Sequence, residues 1–527
     1  MLVTQTAANT SQRLTPMPPR AFVKGGAAPG VATLTVDRSA TAQTIVGFGG
    51  AFTGSSAWLY AQMNATMKAQ FISMYFGRAQ GIGYTLGRVP MGSADFAVQP
   101  SVSYAMVAND TDLEFFSIDV ERAWKLPLIA DASAAVQAAS ASSGRVRGGA
   151  SGQALGLVAS PWSPPAWMKT NKQMICDLWS IVTGCQIEDS DAVKAVYANY
   201  FVKTAQAYRQ AGAPIRWFTP QNEPGVKPFT YEGSEMNAEQ QTDFIERHLG
   251  PALATLPAAE RPGILVYDWN KNSDYVQFAG TVYNNSAASQ YVEGSAVHWY
   301  DGDHFDSLSQ VHALAPGKII LATEATARND VDKAWEGGSW SIGEHYLHDL
   351  LGDLNNHVTG FIHWNLALKD DGGPLHVGPI VGLPIFGSDA PVIVDVPGSP
   401  PLQADVSAEQ ADAVLARAGQ PPLPGRGRGR APRSAGEQRI MAQVSYWYVG
   451  HVSRYALPGS VVLGTALSSV PDGVEATAVE LPGGAGVVVV VLNTTPAPVV
   501  LDVVDAANGM HGNVTVPGNA AQTLRFA

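Results

Sequence analysis

Apolar and polar positions along the chain follow two different rhythms. Around Ala32-Thr-Leu-Thr-Val-Asp they alternate, which is the period-two pattern of a strand with one face in a core and the other in water. From about Gly47 the alternation gives way to short apolar runs. These are Leu157-Val-Ala-Ser, Ile215-Arg-Trp-Phe, Ile264-Leu-Val-Tyr, Ser295-Ala-Val-His, Ile319-Ile-Leu-Ala and Gly360-Phe-Ile-His, with helical spacing between them. Such runs belong to parallel strands buried on both faces by the helices that connect them. Two helices can be argued from their residues. Val193, Val196, Tyr197, Tyr200, Phe201, Ala205 and Tyr208 share one face, and Gly212 stands where a C-terminal cap is expected. Asn237 and Gln240 form a capping pair ahead of Phe244, Ile245, Leu249 and Leu253.

Strand and helix units repeated over so long a stretch favour a (β/α)8 TIM barrel with insertions over an open doubly wound sheet. After Leu457 alternation returns in Val461-Val-Leu, Ala476-Thr-Ala-Val-Glu-Leu, Val487 to Leu492 and Val499-Val-Leu-Asp-Val-Val. Those segments predict an accessory all-β sandwich completed by the N-terminal strand near Ala32. The expected division is a poorly ordered, Pro-, Ala- and Gly-rich lead-in over 1–30, the first strand or strands of the sandwich over 31–46, the α/β barrel over 47–455, and the rest of the sandwich over 456–527. Two low-complexity inserts interrupt the barrel near 138–153 and 398–437. The second contains Pro421-Pro-Leu-Pro-Gly-Arg-Gly-Arg-Gly-Arg, read as a solvated insert, and a short capped helix is expected from Ser407 to Ala418.

Composition narrows the partners. With 46% hydrophobic and 15% charged residues, the 527-residue chain has ample core material, and its net charge of −12 argues against nucleic acid, whose phosphates need clustered Lys and Arg. The two cysteines, Cys176 and Cys185, lie close enough for a local disulfide but do not demand one, and no Cys or His spacing suits a metal site. Sequons at Asn9, Asn64, Asn109, Asn284, Asn493 and Asn513 hint at a secretory route, whereas the N-terminal Met-Leu-Val-Thr-Gln-Thr-Ala lacks the features of a signal peptide. No apolar run reaches the roughly 18 residues of a membrane span.

Two glutamates stand where barrel chemistry is expected. Glu223 follows Ile215-Arg-Trp-Phe and Glu324 follows Ile319-Ile-Leu-Ala, so both sit where a strand ends and its loop begins. They are 101 positions apart (324 − 223), close to three strand and helix units of roughly 30 residues, which places them across the barrel mouth from each other. A lone strand-end Glu is ordinarily a surface residue. Here Asn222 and Pro224 punctuate the turn that presents Glu223. Two carboxyls about 5–5.5 Å apart are the requirement for glycoside hydrolysis with retention. Several of the 12 tryptophans lie beside prolines or at strand ends, as in Ser160-Pro-Trp-Ser-Pro-Pro-Ala-Trp, His298-Trp-Tyr and His363-Trp-Asn, where indole faces suit sugar rings.

Taken together, Gly47-Phe-Gly-Gly-Ala-Phe-Thr, Arg88-Val-Pro-Met-Gly-Ser-Ala-Asp-Phe, Ala159-Ser-Pro-Trp-Ser-Pro-Pro-Ala-Trp-Met-Lys-Thr-Asn, Gln221-Asn-Glu-Pro, Ala296-Val-His-Trp-Tyr, Thr323-Glu-Ala and Trp364-Asn-Leu-Ala-Leu resemble glycoside hydrolase family 30 and, within it, the glucosylceramidases. The resemblance spans residues 32–527 apart from the two inserts. It implies retaining hydrolysis of glucosylceramide without metal or cofactor, with Glu223 as acid/base and Glu324 as nucleophile. It further implies that Asn222 bonds the sugar 2-hydroxyl, that Tyr300 and Arg88 hold Glu324 ionised, and that Asp95, Trp162 and Trp364 grip the glucose. His298 would support Tyr300. A glycolipid or other β-glucoside substrate, contact with a membrane surface, an activator protein and a lysosomal, vacuolar or secreted location follow from the same resemblance. The chain departs from the family in having Thr53-Gly54 where Thr-Asp is usual, and Leu375-His-Val-Gly-Pro where a Trp and an Asn are expected. Those positions lie at the rim, so the leaving group is the open part; relatives acting on β-1,6-glucan, β-xylosides or other β-glucosides are the rivals. A barrel that only binds sugars would be expected to lose a carboxylate.

Overall fold

The computed structural model describes residues 1–26, 30–98, 101–142, 154–177, 180–327, 340–370, 372–374, 388–397 and 438–527. Its centre is a closed barrel of eight parallel strands, which follow one another around the barrel in chain order: Gly47–Ala51, Leu86–Pro90, Gly156–Ser160, Ile215–Phe218, Gly263–Asn270, Val292–His298, Ile319–Glu324 and Val358–Asn365. All six runs singled out by their apolar character are among them. The predicted helices form at Asp191–Gln210 and from Ala238, where Asn237 and Gln240 make the reciprocal capping box.

The barrel interior is layered. Leu86, Val158, Trp217, Leu265, Ala296, Leu321 and Ile362, one from each of seven strands, make an apolar plug. Side chains alternate along a strand, so the residue two positions on points into the same interior. Those residues are Arg88, Ser160, Thr219, His298, Thr323 and Trp364, and they form a largely polar layer above the plug. One strand breaks the rule. In Gly263–Asn270 the register against Val292–His298 slips between Tyr267 and Trp269, and Tyr267 and Asp268 both take positive φ, 76° and 68°. This bulge turns Tyr267 outward onto Tyr275 and Phe278 and brings Asp268, three positions after Leu265, into the polar layer.

The sandwich strands join in one ten-stranded sheet among the described residues, antiparallel except where Val499–Asp505 runs parallel to Thr33–Thr44. Val487–Asn493 is buried on both faces. Val487, Val489 and Val491 enter the sandwich core, while Val488, Val490 and Leu492 pack with the residues around the barrel. An antiparallel strand with two buried faces explains an apolar run where alternation would otherwise be expected.

Over residues 1–26 the expected disorder of the lead-in is corrected. Leu2–Ala7 pairs antiparallel with Ala520–Phe526 over six residues, Thr15–Met17 pairs with Leu2–Ala7, and Val23–Lys24 borders Met510–Val516. The first of these strands is held by burial on both faces. Val3 and Ala7 join the sandwich core, and Thr6 on the other face meets His451 of the helix Val444–Ser453 at 2.9 Å. The other nitrogen of His451 meets Thr523 at 2.8 Å, and burial lowers its pKa to about 3, so this joint between barrel and sandwich is a neutral one. Cys176 and Cys185 form a disulfide in the loop after Gly156–Ser160. Residues 143–153, the insert over 398–437 with its expected helix, and Leu375-His-Val-Gly-Pro lie outside the described residues; residues 138–142 end the helix Lys125–Ser142.

Candidate active site

Glu223 is presented by a turn that an unsupported chain would avoid. Its φ is +44°, a conformation that costs a non-glycine residue roughly 1–3 kcal/mol and persists only where neighbours impose it. They do so through the backbone: the Glu223 amide donates to the Asp268 carbonyl at 2.9 Å, and the Asn222 amide donates to the Pro161 carbonyl at 2.9 Å. Glu324 ends its strand three strands further round, where the register against Val292–His298 also slips, so that His298 pairs with Glu324. One oxygen of each glutamate and a ring nitrogen of His298 all lie within 4.8 Å of one another.

Each carboxylate has its own set of partners. Tyr300 donates its hydroxyl to Glu324 Oε1 at 2.8 Å, and Arg88 Nη1 donates to Glu324 Oε2. Arg88 Nη2 reaches Asn222 Oδ1 at 2.6 Å and Asp268 Oδ2 at 2.8 Å, and the guanidinium lies over Trp162 and Trp364 at 4.7 and 5.5 Å from the ring centroids. His298 bridges the second carboxylate, with Nδ1 at 3.2 Å from Glu223 Oε1 and Nε2 at 3.1 Å from Asp268 Oδ1. The expected support of Tyr300 by His298 is thus reduced to a ring-edge contact, with centroids 6.1 Å apart, because both ring nitrogens face carboxylates.

Electrostatics separates the two glutamates. Burial pushes Glu324 above the usual glutamate range and the charge of Glu223 adds to this; His298, Arg88 and the Tyr300 hydroxyl pull the other way. Burial would lower the pKa of His298, but Glu324, Asp268 and Glu223 outweigh it and raise it to about 9, so the ring is an imidazolium at neutral pH. Glu223 keeps more exposure than Glu324, 16% against 8% of the side chain. The geometry of Glu223, His298 and Glu324 would admit a cation, but a protonated ring and the guanidinium on Glu324 oppose one.

Trp162 and Trp364 pack in an apolar cluster with Ala51, Phe96 and Leu368, and Asp95, next to Phe96 in the chain, lies near enough to this centre to feel the charges of Glu324 and Glu223. Trp162 and Trp364 stack on each other at 5.0 Å, so one face of each indole is taken. Asp95 Oδ1 and Trp364 Nε1 are buried without a hydrogen-bond partner. Burial first, then the charges of Glu324 and Glu223, push the pKa of Asp95 well above the usual carboxylate range. Thr53, fully buried, caps the helix Gly54–Gln62, its hydroxyl accepting from the Ser56 amide at 3.1 Å and lying 2.8 Å from Asn365 Oδ1. Sequence reasoning missed Asp268, Ser160, Thr219 and Thr323. The last three are recoverable as polar residues two positions beyond plug residues; Asp268 is not, because the bulge shifts it off the alternation.

Residues 45–398 match the glycosyl hydrolase family 30 TIM-barrel domain and residues 459–524 the family 30 beta sandwich domain. The chain belongs to glycoside hydrolase family 30. It is 30% identical over 501 residues to the lysosomal acid glucosylceramidase of Mus musculus, spanning 93% of this chain and 82% of that protein. It is 35% identical over 346 residues to putative glucosylceramidase 4 of Caenorhabditis elegans, where the match spans 64% of this chain and 62% of the worm protein, less than two thirds of its length. An endo-1,6-beta-D-glucanase of Neurospora crassa is 26% identical over 360 residues, 67% of each protein. Among solved structures, SrfJ from Salmonella typhimurium superposes with a TM-score of 0.78 at 26% identity, covering 100% of this chain and 99% of SrfJ. The family 30 chain is a glycoside hydrolase, and its substrate is a glycoside.

Proposed function

We propose that this family 30 enzyme hydrolyses glucosylceramide with retention, by double displacement through a glucosyl ester of Glu324. The observation that carries the reading is the approach of the two carboxylates to within 4.8 Å. An inverting enzyme would hold them about 6.5–9.5 Å apart to admit a water between carboxylate and sugar. In the first step a Glu324 oxygen bonds to the anomeric carbon as the bond to the leaving oxygen breaks, and Glu223 gives its proton to that oxygen. In the second, Glu223 takes a proton from water, the water oxygen bonds to the anomeric carbon, and Glu324 leaves. Donors on both oxygens of Glu324 favour its ionised, attacking form, whereas Glu223 is the more exposed of the two carboxyls and so the one nearer to solvent.

Asn222, held by Arg88, stands next to Glu223 where a sugar 2-hydroxyl is expected. Asp95 Oδ1 and Trp364 Nε1 would complete their hydrogen bonds with the outer hydroxyls, with Trp162 stacked behind Trp364. Ceramide as leaving group rests on the likeness to glucosylceramidases, and it carries with it contact with a membrane surface, an activator protein and a lysosomal, vacuolar or secreted location. A secretory route agrees with exposed asparagines at five sequons, Asn9, Asn64, Asn109, Asn284 and Asn513. Asn493 is buried with its amide nitrogen bonded to three carbonyls and cannot carry a glycan. The likeness to the fungal glucanase supports a second reading, β-1,6-glucan. Turnover of glucosylceramide, an aryl β-glucoside, an aryl β-xyloside and β-1,6-glucan side by side decides: cleavage of the aryl glucoside and the lipid is expected, and cleavage of the glucan with an inert lipid would transfer the assignment.

A further inference from the structure

We infer that Asp268 is a positioning residue that serves both carboxylates at once, Glu324 through Arg88 and Glu223 through His298. The inference rests on the double displacement proposed above. Asp268 is fully buried and its carboxylate meets five donors. Oδ2 takes Arg88 Nη2 at 2.8 Å, Thr219 Oγ1 at 2.6 Å and Ser160 Oγ at 3.1 Å; Oδ1 takes Thr323 Oγ1 at 2.6 Å and His298 Nε2 at 3.1 Å. Two carboxylate oxygens offer about four lone-pair sites, so this group is saturated and has no free oxygen for substrate. Although burial raises its pKa, Arg88, His298 and Thr219 together hold it far below the usual carboxylate range. Its carbonyl also accepts the Glu223 amide, so the same bulge sets both the backbone of one carboxylate and the partners of both.

Charge balance through the reaction gives Asp268 its task. Glu324 gives up its negative charge when it bonds to the anomeric carbon, and at that moment Arg88 would be a buried cation without a counterion. Glu223 is neutral as the acid and anionic after donating its proton, so the pairing of His298 alternates as well. Asp268 touches both cations and does not change charge, so each stays paired while the catalytic carboxylates cycle. An ordinary structural ion pair would contribute only to stability. A positioning role affects catalysis too, since a misplacement of about 1 Å costs on the order of 100-fold in rate.

The test is Asp268→Asn in the full chain. It uses an aryl β-glucoside for kinetics, thermal unfolding to verify the fold, and nitrogen-labelled histidine NMR to follow His298. The expected result is a folded protein whose kcat falls about 100-fold with KM within about threefold, and whose His298 titrates at least a unit lower than in the parent. In the parent, trapping a 2-fluoro glucoside should leave the His298 imidazolium signal in place. A folded D268N with parental kcat and parental His298 titration overturns the inference. Should D268N not fold, Thr323→Val removes one donor and keeps the charge; about tenfold lower kcat with a displaced His298 titration supports the role, and parental values of both overturn it. Product inversion by the parent enzyme would instead sink the double displacement itself, so the two failures are distinguishable.

Discussion

Replacing Tyr300 by Phe removes one hydroxyl and leaves the ring. That hydroxyl donates to Glu324 Oε1 at 2.8 Å, and it is a neutral donor at any working pH because burial and the charges of Glu324 and Glu223 push its pKa far above ten. Hydrogen bonds to a charged group contribute about 1.5–3 kcal/mol, and about 1.36 kcal/mol corresponds to one pKa unit. Losing the bond should therefore raise the pKa of Glu324, already lifted by burial, by about 1–2 units. The sign follows directly: the donor stabilises the ionised carboxylate, so its removal makes protonation easier. In the profile of kcat/KM against pH, which reports groups of the free enzyme, the acid limb should move up by the same 1–2 units. Because Glu223 and Glu324 are close enough to titrate together, the limb belongs to the pair and the comparison with the parent profile is the measure. An acid limb that stays in place, or moves down, would refute Glu324 as the group that must be ionised.

Glu223→Gln keeps the shape of the acid/base but cannot give up a proton; kcat/KM should fall at least 100-fold for a poorly activated leaving group such as an alkyl glucoside and far less for a dinitrophenyl glucoside, as steady-state rates across leaving groups would reveal. At the junction of barrel and sandwich, His348 meets Glu475 at 2.8 Å and Asp303 at 3.1 Å, and the Glu475 hydrogen bond leads in raising its pKa to about 9. A raised histidine pKa stabilises the fold fully below about pH 6.5 and loses that contribution as pH rises through about 9. Glu475→Gln should therefore lower Tm at pH 6 and leave it near the parent value at pH 10; an equal deficit at both would exclude the charge as the cause.

The barrel was legible because six strands carry short, mainly apolar runs, and Glu223 and Glu324 stood out because each follows such a run. Asn222, Arg88 and Tyr300 emerged from motif resemblance and lie in contact with the carboxylates or with one another's partners. Two features escaped for physical reasons. The bulge at Tyr267 and Asp268 adds a residue to the strand, and no alternation pattern signals an insertion of one. Leu2–Ala7 was obscured by the Pro, Ala and Gly content of the lead-in and because both its faces are buried, one by apolar Val3 and Ala7 and the other through Thr6 hydrogen-bonded to His451, so no alternation marks it as a strand. His298 lies between Glu223 and Asp268, and the second of these partners depends on the bulge, so it could not be assigned from the sequence.

The central claim is that Glu324 forms the covalent bond to the sugar. Incubating the enzyme with 2,4-dinitrophenyl 2-deoxy-2-fluoro-β-glucoside, digesting it and sequencing the modified peptide by mass spectrometry tests that claim directly. The account predicts one fluoroglucosyl group per chain, carried by Glu324, with loss of activity in step with labelling. A label on Glu223 or elsewhere, or turnover with inversion and no label, would contradict it.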